Sequence, residues 1–291
     1  MLSTALLAGS LGIASIVGVA EMPSNARILD ARERSLYDAG HVPGSQHVDW
    51  KDWTLEKPGL TSLVTGNPAN WGKLLADLAP LEARLRLLGL SNATPVVVVG
   101  TPDGWGEEGR VAWNLLVLGA ANVALLDGGF PAWKAAGRPV ERATPPLPSP
   151  GTFTVALRGE RRARLEEVAQ ALRAGRPLLD ARSPEEYSGK AMTGQKRGGH
   201  VPGARLVPED RLYRPDGRYV TAGELRALIG LGEKPSGAPP ITYCTGGVRS
   251  ALLSLLIEAR LGIVSPNYDG SMWEWSARED LPLTTSTPGS R

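Results

Sequence analysis

The chain repeats itself. "RILDARERSLYDAGHVPGS" at 27–45 returns as "PLLDARSPEEYSG" at 177–189 and, after an insertion, as "GGHVPGA" at 198–204. "VALLDGGFPAW" at 123–133 returns as "VSPNYDGSMW" at 264–273. Separated features that recur in one order mean two copies of one fold. Between the copies lies "TPPLPSPG" at 144–151, whose four prolines fix φ and remove donors, so it is neither a helix nor a central strand. The expected organisation is a domain at 1–143, a proline-rich linker at 144–151 and a domain at 152–291.

Within each copy, short apolar strands alternate with helical stretches. "PVVVVG" (95–100) reads as a strand buried on both faces, and "GRVAWNLLVLG" (109–119) as the helix after it. "PPITYC" (239–244) precedes "RSALLSLLIEARLG" (249–262) in the same way. Asn70 to Leu88 has helical periodicity through Leu74, Leu75, Leu78, Leu81 and Leu85. Ser183 with Glu186, and Thr221 with Glu224, have the spacing of capping boxes. The expected fold is α/β: in each copy a mostly parallel sheet flanked by helices on both faces. Ligands of such sheets sit beyond the C-terminal ends of the strands. Cys244 stands at such an end.

Bulk properties exclude several partners. A net charge of +2 is too near neutral for nucleic acid or an acidic membrane surface. One cysteine allows no internal disulfide, and three histidines without paired spacing give no zinc site, so neither metal nor cofactor is expected. Leu2 to Ala20 carries no charge. Without a basic segment before it, this run reads as a first helix capped by Ser3 or Thr4, with Leu6, Leu7 and Leu11 on one face. That reading makes the protein cytoplasmic; a signal peptide over 1–20, cut after Gly18-Val19-Ala20, is the alternative and would make it exported.

A lone cysteine is ordinarily an inert core residue, but the context of Cys244 argues otherwise. Thr245-Gly246-Gly247-Val248 follows it, and glycines let successive N–H groups curl toward one point. At a helix N-terminus that ring of donors favours an anion, and a thiolate is the nucleophilic form of cysteine. Arg249 adds a permanent cation with a fork of donors.

These residues resemble the tandem-domain rhodanese family of thiosulfate sulfurtransferases. "YDAGHVPGS" (37–45) and "LLDGGFPAW" (125–133) are similar to its N- and C-terminal signatures, and "CTGGVR" (244–249) to its active loop. The resemblance implies ping-pong sulfur transfer: Cys244 takes the outer sulfur of thiosulfate as a persulfide, and a thiol or cyanide removes it. It implies substrate contacts from Thr245, Gly246, Gly247, Val248 and Arg249, and from Arg182 and Arg197, with Lys190 and Lys196 as weaker candidates. Where many relatives carry an Arg before the aromatic of the "DAR…Y" segment, this chain has Glu186 before Tyr187.

Asp30 and Asp180 end strands and are expected to hold loop amides; His41 and His200 occur in both copies and read as turn residues. Tyr187, Trp273 and Trp275 read as packing residues. The first copy has "GTPDGWGEEG" where the second has its loop, with no cysteine and with Asp103, Glu107 and Glu108, so it is expected to be non-catalytic, Trp105 walling the cleft. Three alternatives stay open: 3-mercaptopyruvate as donor, a sulfur carrier or binding module without turnover, and phosphoryl chemistry. The last ranks low, because phosphatase loops are Cys-x5-Arg and this one is Cys-x4-Arg.

Overall fold

A computed structural model describes residues 13–55, 68–232 and 237–285. It contains two five-stranded sheets in which all paired strands run parallel. The first takes β1 (Ile13–Val17), β2 (Arg27–Asp30), β3 (Gln46–His47), β4 (Pro95–Val99) and β5 (Asn122–Leu126) in the order β1-β5-β4-β2-β3. The second takes β6 (Arg162–Ala163), β7 (Leu178–Asp180), β8 (Arg205–Leu206), β9 (Ile241–Tyr243) and β10 (Asn267–Tyr268) in the order β6-β10-β9-β7-β8. The two orders are the same, as the sequence repeat requires.

Helices flank each sheet. In the first half they are α1 (Arg34–Ala39), α2 (Ala79–Leu87), α3 (Glu107–Leu118) and α4 (Gly129–Ala135). In the second they are α5 (Leu165–Arg173), α6 (Pro184–Tyr187), α7 (Ala222–Ile229), α8 (Arg249–Leu261) and α9 (Ser271–Trp275). Both expected capping boxes form, with the Ser183 and Thr221 amides donating to Glu186 and Glu224. The helix expected over 70–88 is shorter: Leu74 instead pairs with Thr54 in a bridge, and helix begins at Ala79. Periodicity could not separate the two, because Leu74 is buried as deeply as a helix face would bury it.

The halves share one core. Helices α3 and α8 pack on each other, with the Gly109 Cα so close to Leu252 that an added Cβ would lie 2.5 Å from the Leu252 Cα. Both are buried over most of their length, which explains why their sequences are apolar nearly all round. The aspartates of the repeated Asp-Gly motif cross over between the halves. Asp127 accepts from the Tyr219 amide at 2.9 Å, and Asp269 from the Leu74 amide at 2.8 Å.

The chain after the proline-rich stretch stays with the first half, where Gly151, Phe153, Ala156 and Arg158 donate to Arg86, Leu90, Leu118 and Val117 carbonyls. The expected helix over Ser3, Thr4, Leu6, Leu7 and Leu11 lies outside the described residues. Ile13–Val17, in the same apolar run, is a strand along β5, and the Ala14 amide donates to Glu258 of the second half. No helix among the described residues is long and apolar enough to cross a membrane.

Candidate active site

Strand β9 ends at Tyr243, and the next residue, Cys244, is almost fully buried. The backbone turns through Thr245, Gly246, Gly247 and Val248 before α8 starts at Arg249. Gly247 makes the turn possible: its φ of +77° is left-handed, and a Cβ there would meet Asp269 Cα at 2.6 Å. In this geometry the Gly247 amide donates to Cys244 Sγ at 3.1 Å. Behind the cysteine, its own amide donates to Ser271 Oγ at 3.1 Å. Ser271 is the only non-glycine residue with positive φ among the described residues, at 48°. A strained backbone there places a hydroxyl against the loop.

Burial pushes the Cys244 thiol up. The Arg249 charge, together with hydrogen bonds from Ser250 and the Gly246 amide, outweighs it and leaves the pKa below the ordinary thiol value. The shift is toward the thiolate, the nucleophilic form of cysteine.

Arg249 is itself held. Its guanidinium donates to both Glu186 oxygens, at 2.7 and 2.8 Å, and to Thr245 Oγ1 at 2.8 Å. Glu186 also accepts from the Thr245 and Thr193 hydroxyls, at 2.7 and 3.1 Å. Burial alone would raise this carboxylate, but Arg249 and Thr245 bring it down to about 2. Glu186 thus has two functions that its capping-box spacing did not reveal together: it starts α6 and anchors the loop.

The sulfur lies in a cleft of about 230 Å3. Thr245, Gly246, Val248 and Arg249 line it with Cys244, and the first half contributes Glu33, Trp50, Lys51, Trp105 and Glu107. Trp105 walls the cleft as expected, with 56% of its surface exposed. Trp273 also lines it, although the sequence reads it as packing. Its ring lies on Gly246, where any Cβ would collide, and its indole donates to the Thr193 carbonyl at 2.7 Å.

Two expected substrate contacts are placed elsewhere. Arg182 is fully buried, bound through Nε and Nη2 to Asp180 and through Nη2 to the Gly199 carbonyl at 2.9 Å. The first half builds the same device from Asp30, Arg32 and the Gly40 carbonyl. The feature is present in the copy without a cysteine, and Arg182 is not among the residues lining the cleft. Arg197 binds the carbonyls of Ser276, Arg278 and Leu281 at 3.0, 2.5 and 3.0 Å, tying down the chain after α9, and it does not line the cleft. Lys190 and Lys196 are not among the residues lining the cleft. His41 and His200 stack on Tyr37 and Tyr187 and hydrogen-bond their carbonyls, as turn residues.

The first half has no sulfur at the corresponding position. Gly100 follows β4 where Cys244 follows β9, and the space for its Cβ is occupied by the Glu108 carboxyl. Glu108 is buried and accepts from Tyr213 and Tyr219 hydroxyls of the second half at 2.8 and 3.0 Å.

The rhodanese-like domain model matches this chain twice, at residues 18–136 and 164–278. The chain belongs to the rhodanese family. The sulfur carrier protein TtuD of Thermus thermophilus is 32% identical over 88% of this chain and 90% of its own length. The thiosulfate sulfurtransferase of Corynebacterium glutamicum is 31% identical over 89% of this chain and 85% of its own. Among solved structures, YnjE superposes with a TM-score of 0.77 at 25% identity, over 93% of this chain and 65% of YnjE.

Proposed function

We propose that this rhodanese moves sulfane sulfur from thiosulfate to a thiol or cyanide through a persulfide on Cys244. The observation that carries the reading is the Gly247 amide aimed at Cys244 Sγ, 3.1 Å away, at the floor of an open cleft. The Cys244 thiolate attacks the outer sulfur of thiosulfate. The sulfur–sulfur bond of the donor breaks, its electron pair leaves with sulfite, and Cys244 carries a persulfide anion. The loop amides that hold the thiolate then hold that anion. An acceptor thiolate or cyanide attacks the terminal sulfur, and the electron pair returns to Cys244. Lys51, on the rim, supplies the cation for the sulfonate end of the donor.

The fork of Arg249 is turned onto Glu186 and Thr245, which disfavours phosphoryl chemistry, since a phosphate would need those donors. The similarity to TtuD, a sulfur carrier protein, favours one second reading, a sulfur carrier or binding module without turnover.

Intact mass after thiosulfate treatment tests the persulfide. A gain of one sulfur in the wild type, lost in Cys244→Ser, is expected; no gain, or a gain that survives the substitution, overturns it. Steady-state turnover with cyanide or a dithiol then separates enzyme from carrier. Greater efficiency with 3-mercaptopyruvate than with thiosulfate would overturn the choice of donor.

A further inference from the structure

The half of the molecule without a nucleophile reaches into the catalytic loop with one charged side chain. Arg110, on α3, is completely buried. Its Nη1 donates to the Gly247 carbonyl at 3.1 Å, and its Nη2 donates to the Gly72 carbonyl. Gly72 in turn lies so tightly on the Gly246 carbonyl that a Cβ at Gly72 would overlap it. Asn267 adds a second donor to the Gly247 carbonyl, also at 3.1 Å. Gly247 is therefore gripped on both sides, by Cys244 Sγ at its amide and by Arg110 and Asn267 at its carbonyl.

We propose that Arg110 is a positioning residue for the Cys244 loop and that its charge stabilises the anion carried by Cys244. This rests on the persulfide reading above. The charged groups that act on Arg110 are Asp269, Arg162 and Cys244. Asp269, the first of these, is itself paired with Arg162 at 2.9 Å and so is shared between the two guanidinium groups. Burial brings Arg110 down to about 10, which leaves it a cation at neutral pH. Burial makes this cation costly; Asp269 offsets that cost first, and an anion on Cys244, reached through Gly247, adds to that offset. The first half thus completes the site of the second. Arg110 is not among the residues lining the cleft, so it acts on the loop and not on the donor.

The test uses Arg110→Gln and Arg110→Lys in the full chain, with thermal unfolding as a control for folding. The pH profile of Cys244 alkylation by iodoacetamide reads the thiolate directly, since the chain has one cysteine. Arg110→Gln is expected to move the midpoint up by about one unit, or about tenfold less thiolate well below it. It is also expected to lower kcat for sulfur uptake with little change in KM. Arg110→Lys is expected to keep the wild-type midpoint and lose kcat severalfold, because one ammonium cannot span both carbonyls. A folded Arg110→Gln protein with wild-type midpoint and kcat overturns the proposal. If Arg110→Gln does not fold, wild-type kcat in Arg110→Lys overturns it. If the wild type takes up no sulfur, the functional reading fails, and the alkylation midpoints of the two variants decide Arg110 alone.

Discussion

Glu186 and Arg249 face each other carboxylate to guanidinium, with two hydrogen bonds of 2.7 and 2.8 Å. Glu186 closes the capping box of the helix after β7, and Arg249 is the first residue of the helix after β9. Their pairing ties the cysteine loop to the neighbouring strand connection. It also turns the loop's cation away from the role of a free anion receptor.

Loss of this pair is expected to be costly. Glu186→Gln leaves Arg249 buried without its counter-charge, at about 3–5 kcal/mol, which urea unfolding at neutral pH would measure. The acid limb should change as well. Glu186 is depressed to about 2, so its stabilisation is complete above the ordinary carboxylate range and is lost as pH falls toward 2. That contribution is on the order of 3 kcal/mol. The variant should therefore lose less stability than the wild type between pH 5 and pH 2, roughly the span set by these two values. Equal acid limbs would count against the pairing.

Glu108 should behave in the opposite sense. Burial, with the nearby Glu107 charge, raises it to about 7. The unfolded chain gives up this proton before the folded one does, so stability falls as pH rises from the ordinary carboxylate range to about 7, then levels off. Glu108→Gln keeps an acceptor for Tyr213 and Tyr219 without the charge. It is expected to melt higher than the wild type at pH 8, about one unit above the transition. No such gain should appear at about pH 5, below it.

Arming the first half should fail. Gly100→Cys in a Cys244→Ser background puts a side chain where the Glu108 carboxyl lies. The expected outcome is no sulfur gain in the intact mass, with overpacking costing about 1–3 kcal/mol. Persulfide at position 100 would show that this loop is more adaptable than its packing implies.

Lys51 should affect binding more than chemistry. Lys51→Met removes the rim cation while leaving the loop intact, so KM for thiosulfate is expected to rise with kcat nearly constant. A fall in kcat at constant KM would place Lys51 in the transition state instead.

Much of this was legible in the residues. The repeat implied two sheets of like order, and the break after "ITY" implied a cysteine at a strand end. The DAR motif is ambiguous at Arg182, since an arginine two residues beyond an aspartate reads equally as a substrate contact or as its ion-pair partner. Only burial decides between them. Ser271 carried a faint signal, because it replaces Gly129 of the first copy at a left-handed position. Glu186 stands out in the sequence as a departure from the family pattern, but its partner lies 63 residues away.

Local sequence determined what is built from neighbouring residues: strand, glycine turn, helix start, capping boxes and the single thiol. These follow from backbone preference and short-range hydrogen bonding, which the chain specifies within a few residues. Tertiary structure alone decided the electrostatics of the site. Arg110 meets Gly247, and Glu186 meets Arg249, only because distant segments pack into one core. A charge becomes a counter-ion, a rim group or a loop support according to what that packing places beside it.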